Sequence, residues 1–258
     1  MEGESFRKKL LDDGLLNTSL KIRSSDGSLL LPLTDPKGLE GYEILLEDFE
    51  EREMPESDYR QLVTVPDELV PLLPSSFDVV GDIAIIRLPD ELIPHAREVG
   101  GALMVVLPRL RTVALDRGVR GEFRVRDLQV VAGEDSTRTV HVEFGLRFRV
   151  DPARVYFNPR LANERMRVTS LVSKGEVVVD MFAGIGPFSV TIARHAKPSI
   201  VYAIDINPEA VTLMRENISL NRVPGIVPIL GDARMEIRRL LCQKRLPWQY
   251  SVAIWIRL

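Results

Sequence analysis

Apolar and polar positions change period several times along the chain, and each change marks an element. Phe6, Leu10 and Leu11 recur at helical spacing and predict a short amphipathic helix. Residues 20–23 and 29–33 flank Ser25-Asp26-Gly27, which has hairpin turn chemistry, and residues 42–49 predict another strand. An acidic run over 47–58 contains Met54-Pro55 and is followed by Pro66, Pro71 and Pro74, so a linker and a first boundary are expected there. Ser75-Ser76-Phe77-Asp78 leads into residues 79–86, apolar enough to read as one buried strand, and residues 89–99 read as a helix. Strands are expected over 112–115 and 123–131, with 141–148 and 155–157 extending the same sheet. A turn through Pro159-Arg160-Leu161 opens a helix over 163–172. Beyond it, apolar runs at 177–179, 200–204 and 226–230 alternate with helical patterns from Pro187, over 209–220 and over 233–241, and one more strand is expected over 251–256.

That last alternation is the signature of a parallel, doubly wound sheet, and its first turn is chemically distinctive. Val177-Val178-Val179 ends in Asp180, and Phe182-Ala183-Gly184-Ile185-Gly186-Pro187 follows, a turn whose glycines let something approach the backbone. Pro187 suits a first helical turn, and Phe188, Ile192 and Ala193 share one face of the helix it opens. The second strand ends in Asp205, at the offset where an acid grips ribose hydroxyls, and the third is followed by Gly231-Asp232-Ala233. Any doubly wound protein needs a glycine turn here, so the glycines alone do not separate a ligand site from a structural turn. The acids at three successive strand ends favour a nucleoside cofactor. A dinucleotide is disfavoured, because Ser189 stands where a third glycine would approach the pyrophosphate and because a carboxylate repels phosphate. A cationic guest fits better. S-adenosylmethionine is therefore expected, with Asp180 towards its amine or sulfonium, Asp205 on the ribose and Asp232 near the adenine amine.

Composition changes this picture in two places. The 258 residues allow more than one domain, and three are expected: a small N-terminal module over 1–60, a mixed α/β domain over 75–160, and the cofactor domain over 161–258. Cys242 is the lone cysteine, which excludes an internal disulfide. No basic-then-apolar leader follows Met1 and no apolar run is long enough for a bilayer, so a cytoplasmic protein without membrane contact is expected. The net charge of −3 hides an asymmetry: residues 1–108 carry 10 basic and 22 acidic side chains, whereas 109–167 carry 13 basic ones, all arginine, and 8 acidic. Arginine in preference to lysine suits planar contacts to phosphates or base edges, although a solvated β surface would look the same by charge alone.

Four motifs then agree in order. Ser75 to Ala84, Val113 to Arg126, Val155-Tyr156-Phe157-Asn158-Pro159-Arg160-Leu161 with Glu164-Arg165, and Asp180 to Phe188 together resemble the archaeal and eukaryotic tRNA (guanine-N1-)-methyltransferases that modify position 37. The resemblance implies a class I methyltransferase domain, Rossmann-like and incomplete at its end, preceded by a mixed α/β RNA-binding domain and the small module. It implies S-adenosylmethionine as cofactor, no metal, and a monomer whose partner is tRNA, bound at the anticodon loop and through the N-terminal module at the elbow. Guanine N1 is protonated at neutral pH, so methylation needs a base at N1 and a donor at O6. The resemblance assigns Glu164 as that base, Arg124 as the O6 donor in preference to Arg126, and Tyr156 as a positioning group. Asp180, Phe182, Gly184, Gly186, Asp205, Ile206, Asp232 and Ala233 would line the cofactor pocket, and Arg126, Asn158 and Arg160 would hold substrate. Without the resemblance, Glu164 reads as half of a surface ion pair with Arg165 or Arg167 and Tyr156 as core. The family's Asn-x-Pro segment is absent beyond Asn221, so a truncated chain with slow transfer is expected. Aminocarboxypropyl transfer in the wybutosine pathway, a tRNA-binding remnant without turnover and a nicotinamide-dependent oxidoreductase are the competing readings.

Overall fold

Short apolar runs separated by glycine turns dictate where backbone pairs with backbone, and they do so separately in two parts of the chain. The computed structural model describes residues 2–25, 28–35, 39, 41–50, 58–121, 123–243 and 251–254. By contacts it divides into two compact units, Met1–Ser57 and Asp58–Leu258.

In the first unit the expected helix is α1 (Glu2–Asp12), which buries Leu10 and leaves Leu11 half exposed. Gly14, at φ +69°, leads the chain out of it, and the Phe6 ring stacks on Tyr42 at 4.1 Å. The hairpin forms as β1 (Arg23–Ser25) and β2 (Ser28–Leu30), antiparallel with Arg23 opposite Leu30. Its turn residues Asp26 and Gly27 lie outside the described residues. The strand expected over 42–49 does not form. This segment has no ladder partner, Leu46 is fully exposed, and it meets the chain through isolated bonds, Lys21 N–H to the Glu50 carbonyl and Arg23 Nη1 to the Asp48 carbonyl.

The second unit opens with β3 (Asp78–Val80) and β4 (Ile83–Ile86), an antiparallel hairpin where a single strand was expected. The break is forced at Gly81: its φ is +59°, and a Cβ there would lie 2.2 Å from Thr139 Oγ1. The helix expected over 89–99 also shifts. Asp90–His95, which contains Pro94, is a 3₁₀ turn, and the α-helix proper is α2 (Ala96–Val106), because proline cannot supply an interior helical N–H. Next come β5 (Thr112–Arg120) and β6 (Val125–Gly133), giving a mixed sheet in the order β3-β4-β5-β6. Ile86, Leu92, Val99, Leu103 and Val113 fill the core between this sheet and α2.

Residues 139–150 do not extend that sheet. They form a separate hairpin, β7 (Thr139–Glu143) and β8 (Leu146–Val150), turned by Phe144 at φ +48° and Gly145 at φ +76°. Two consecutive left-handed residues match the twist of a tight hairpin. Residues 155–157 are irregular rather than a strand, with Val155 and Phe157 buried. The chain then runs through α3 (Ala162–Ser170), β9 (Val177–Asp180), α4 (Pro187–His195), β10 (Ile200–Asp205), α5 (Pro208–Asn221), β11 (Ile226–Leu230), α6 (Ala233–Cys242) and β12 (Ser251–Ile254). Their sheet is parallel throughout, in the order β11-β10-β9-β12, as the βαβ alternation requires. One core cluster runs from Ile83 and Ile85 through Phe148 and Val150 to Ile185, Val190 and Leu213, so the β7–β8 hairpin cements the two sheets.

Candidate active site

Strand order reverses at β9, with β10 and β11 on one side and β12 on the other; in open α/β sheets the crevice outside the carboxyl ends at such a point is the usual ligand site. Asp180 and Asp205 end β9 and β10 there. Asp180 is 2% exposed and accepts the Ser189 hydroxyl at 2.7 Å. Burial pushes its carboxyl up to about 6, with the Asp205 charge adding to the rise, against hydrogen bonds from Ser189 and the Phe182 backbone. Asp205 accepts the Gly184 N–H at 2.6 Å and the Asn207 N–H at 2.9 Å. Burial raises it too, and those backbone donors oppose the rise.

The turn between these acids needs its glycines. Gly186 has φ +83°, and a Cβ on it would approach Met214 Cγ to 2.8 Å. Gly184 has φ +55° and packs next to the Tyr156 carbonyl, which sets Tyr156 against the turn. Phe182, two residues past the end of β9, and Ile206, directly after β10, are 55% and 48% exposed, although both strands are buried. Apolar side chains left in solvent beside carboxylates with spare lone pairs fit a nucleoside, which has an apolar base face and a hydroxyl-bearing sugar. Asp232 is exposed and serves as the N-cap of α6, accepting the N–H groups of Arg234 and Met235, with Ala233 following as the first helical residue.

A second group gathers at Asp78. Its carboxylate takes Arg160 Nε at 2.7 Å and Arg126 Nη2 at 3.1 Å, so the structure brings two of the three expected substrate residues together. Arg126 also faces the buried Asp116 at 3.5 Å. The third, Asn158, caps the turn Pro159–Leu161 by accepting the Arg160 N–H.

The catalytic candidates are less concentrated. Glu164 is part-exposed and forms a two-pronged pair with Arg167, at 2.6 and 2.7 Å, which holds its carboxyl below the usual range. Arg124 is exposed in the turn joining β5 to β6, at φ +51°. Among the described residues no hydrogen bond or ion pair links Glu164, Arg124 and Tyr156 to one another.

Of the two arginines that could form a surface pair with Glu164, Arg167 does so and Arg165 does not. Arg165 is 1% exposed, pairs with Glu143 at 2.6 Å, donates to the Asn158 carbonyl at 2.8 Å, and lies between the rings of Phe157 and Phe188. Burial pulls its guanidinium down and pushes the Glu143 carboxyl up, each opposed by the partner's charge. His141 stands 3.7 Å from the same carboxylate and is lowered by burial and by Arg165. Sequence reasoning missed this buried group and the Ser189 bond to Asp180. The available signal was Arg165 sharing one helical face with Thr169 and Val172, since a charge on a buried face requires a buried partner.

Among the described residues there is no cluster of three or more ligating side chains able to hold a metal and no helix long and apolar enough to cross a membrane. Residues 1–41 match the tRNA methyltransferase 5 N-terminal domain, 60–137 the TYW2 N-terminal domain, and 139–246 the TRM5/TYW2 methyltransferase domain. The chain is 45% identical over 234 residues to the tRNA (guanine(37)-N(1))-methyltransferase Trm5b of Pyrococcus abyssi, covering 90% of this chain and 70% of that one. The crystal structure of that protein superposes with a TM-score of 0.69. A complex of aTrm5 with tRNALeu matches at 38% identity and TM-score 0.64, over 90% of this chain and 73% of that one. Methanocaldococcus jannaschii Trm5 with adenosine matches at 36% and 0.56, over 90% and 71%. Sheet order, the acid-flanked glycine turn and identity along nine-tenths of its length agree: this chain belongs to the tRNA (guanine(37)-N(1))-methyltransferase family and is a class I methyltransferase.

Proposed function

We propose that the protein methylates N1 of guanine 37 in tRNA, using S-adenosylmethionine held outside β9 and β10. The observation that carries this reading is the strand-end notch, in which Gly184 N–H is locked onto Asp205 while Phe182 and Ile206 stay exposed beside it. The solved relatives with adenosine and with tRNALeu support the cofactor class and the partner. Asp205 offers its remaining lone pairs to ribose hydroxyls. Phe182, Ile206 and Ala233 border the adenine, and Asp232 approaches its amine. Asp180, turned inward onto Ser189, acts by its field and by fixing the turn through Gly184 and Gly186. The cofactor supplies an electrophilic methyl group on a sulfonium.

The chain's own residues then handle a proton and a developing charge. Glu164 takes the N1 proton; a part-exposed glutamate is ionised at neutral pH in any case, and the pair with Arg167 lowers it further, so this pair has to open for the carboxylate to act as a base. As that proton leaves, charge builds on guanine O6, where the Arg124 guanidinium donates. Tyr156 positions base or cofactor from beside the glycine turn. Arg126, Arg160 and Asn158 hold the flanking nucleotides. Residues 1–60 grip the tRNA elbow, residues 75–160 present the anticodon loop, and residues 161–258 hold the cofactor in a cytoplasmic monomer.

Single-turnover methylation of a tRNA transcript, with the product nucleoside identified by mass, tests this directly. Glu164→Gln should slow transfer by about 10²–10⁴-fold, the usual contribution of general base catalysis, with S-adenosylmethionine binding retained; unchanged transfer would remove Glu164 from the role. Because residues 60–137 match a TYW2 N-terminal domain, aminocarboxypropyl transfer is the second reading. A product heavier by that group instead of by a methyl would establish it.

A further inference from the structure

A cleft of 760 Å³ lies between the Gly81-Asp82 turn and β7, and its walls carry Arg109, Arg111, Arg138 and Arg149 beside Asp82 and His141. The four arginines differ in what they have left to give. Arg111 is spent on structure: it bonds Asp82 at 3.0 Å, Glu134 at 2.8 Å and the Arg138 carbonyl at 2.7 Å. Arg138 and Arg149 share one carboxylate, Glu216, each at 3.1 Å, so that two guanidinium groups meet a single negative charge and keep most of their donors. Arg109 is exposed and has no hydrogen-bond or ion-pair partner among the described residues. His141 adds no charge, because burial and Arg165 lower it, and its Nδ1 accepts the Gly81 N–H.

The wall is also pre-organised. The backbone of β8 at Arg147 and Arg149 pairs on both its N–H and C=O groups with the side-chain amides of Asn221 and Asn217 on α5. Arginines with unspent planar donors, one of them on a backbone held in place, are suited to phosphate oxygens. They come from three separate segments around a cavity far larger than one phosphate, which suits a polymer better than a small anion.

We propose that this cleft is a phosphodiester-binding subsite that holds the RNA sugar–phosphate backbone away from the reacting base. This rests on the reading of tRNA as substrate. Filter binding of a tRNA transcript to the full chain between 50 and 250 mM salt tests it, with Arg109→Ala, Arg149→Ala and, as a control, Arg97→Ala on the exposed side of α2. Arg109→Ala and Arg149→Ala should each weaken binding about five- to tenfold at low salt and lower the log–log salt slope by roughly 0.7–0.9, the value of one phosphate contact. Arg97→Ala should do neither, and calorimetry with S-adenosylmethionine reports that each variant is folded. Parent-like affinity and slope in both cleft variants would overturn the subsite while leaving the tRNA reading intact. A parent that binds no tRNA would instead overturn the function on which it rests. Loss of inorganic pyrophosphate binding with tRNA affinity unchanged would make the cleft a small-anion site and also overturn the proposal.

Discussion

Asp180 shows how one buried carboxyl can couple acidity to ligand charge. Its displacement from 3.8 to about 6 corresponds to about 3 kcal/mol against the ionised form. The folded protein therefore keeps a proton that the unfolded chain has already released, and this contribution to stability is lost as pH rises from about 4 through 6. The sign reverses for a cationic ligand. Ionised Asp180 stabilises a positive charge in the notch, so preference for S-adenosylmethionine over its neutral demethylated product should grow several-fold between pH 5 and 7. Titration calorimetry of both compounds across that range checks this, using Asp180→Asn for comparison. A ratio that changes with pH equally in Asp180→Asn would mean that some other group, such as Asp205, sets the charge preference.

At the scale of elements, α5 and β8 show a junction that pattern reasoning could not reach. Asparagines four residues apart on a helix advance about 6 Å, close to the advance of two residues along a strand. Asn217 and Asn221 thus reproduce a neighbouring strand for Arg149 and Arg147. Asn217, fully buried, also donates to the Ile185 carbonyl within the glycine turn. Replacing it by Leu should cost about 3 kcal/mol or more, since it orphans buried backbone groups at roughly 1–3 kcal/mol each. Asn221→Ala, at a part-exposed site, should cost about 1 kcal/mol. Urea denaturation would measure both, and equal losses would contradict this account.

The same contrast explains what the sequence made legible. The parallel strands β9, β10 and β11 and helices α4 to α6 were readable because local period, Pro187 and the glycine turn all agree. The β3–β4 break, the detached β7–β8 hairpin and the buried Arg165–Glu143 pair were not, because each depends on a partner far away in sequence, such as Thr139 against Gly81. For the candidate site, the notch was legible as acids at strand ends, whereas Asp78, which joins Arg126 to Arg160, was not.

For the whole molecule, charge and core divide along different lines. Each unit has its own compact set of contacts. All the notch residues and the core cluster joining Ile85 to Phe148 and Leu213 belong to Asp58–Leu258. Acidic residues dominate the first 108 positions, and the all-arginine stretch lies in 109–167, so electrostatic attraction for RNA is concentrated in the second unit. Deleting residues 1–57 should therefore leave the thermal shift produced by S-adenosylmethionine within a few degrees of the parent's. The steep salt dependence of tRNA binding should also persist, because the arginines that displace counterions remain. What should fall is affinity for full-length tRNA relative to an isolated anticodon stem-loop, since the module proposed to grip the elbow is gone. Filter binding of both RNAs to both proteins decides the matter: an unchanged ratio would show that residues 1–57 contribute nothing to tRNA recognition, and loss of the cofactor's thermal shift would show that the second unit depends on the first to fold.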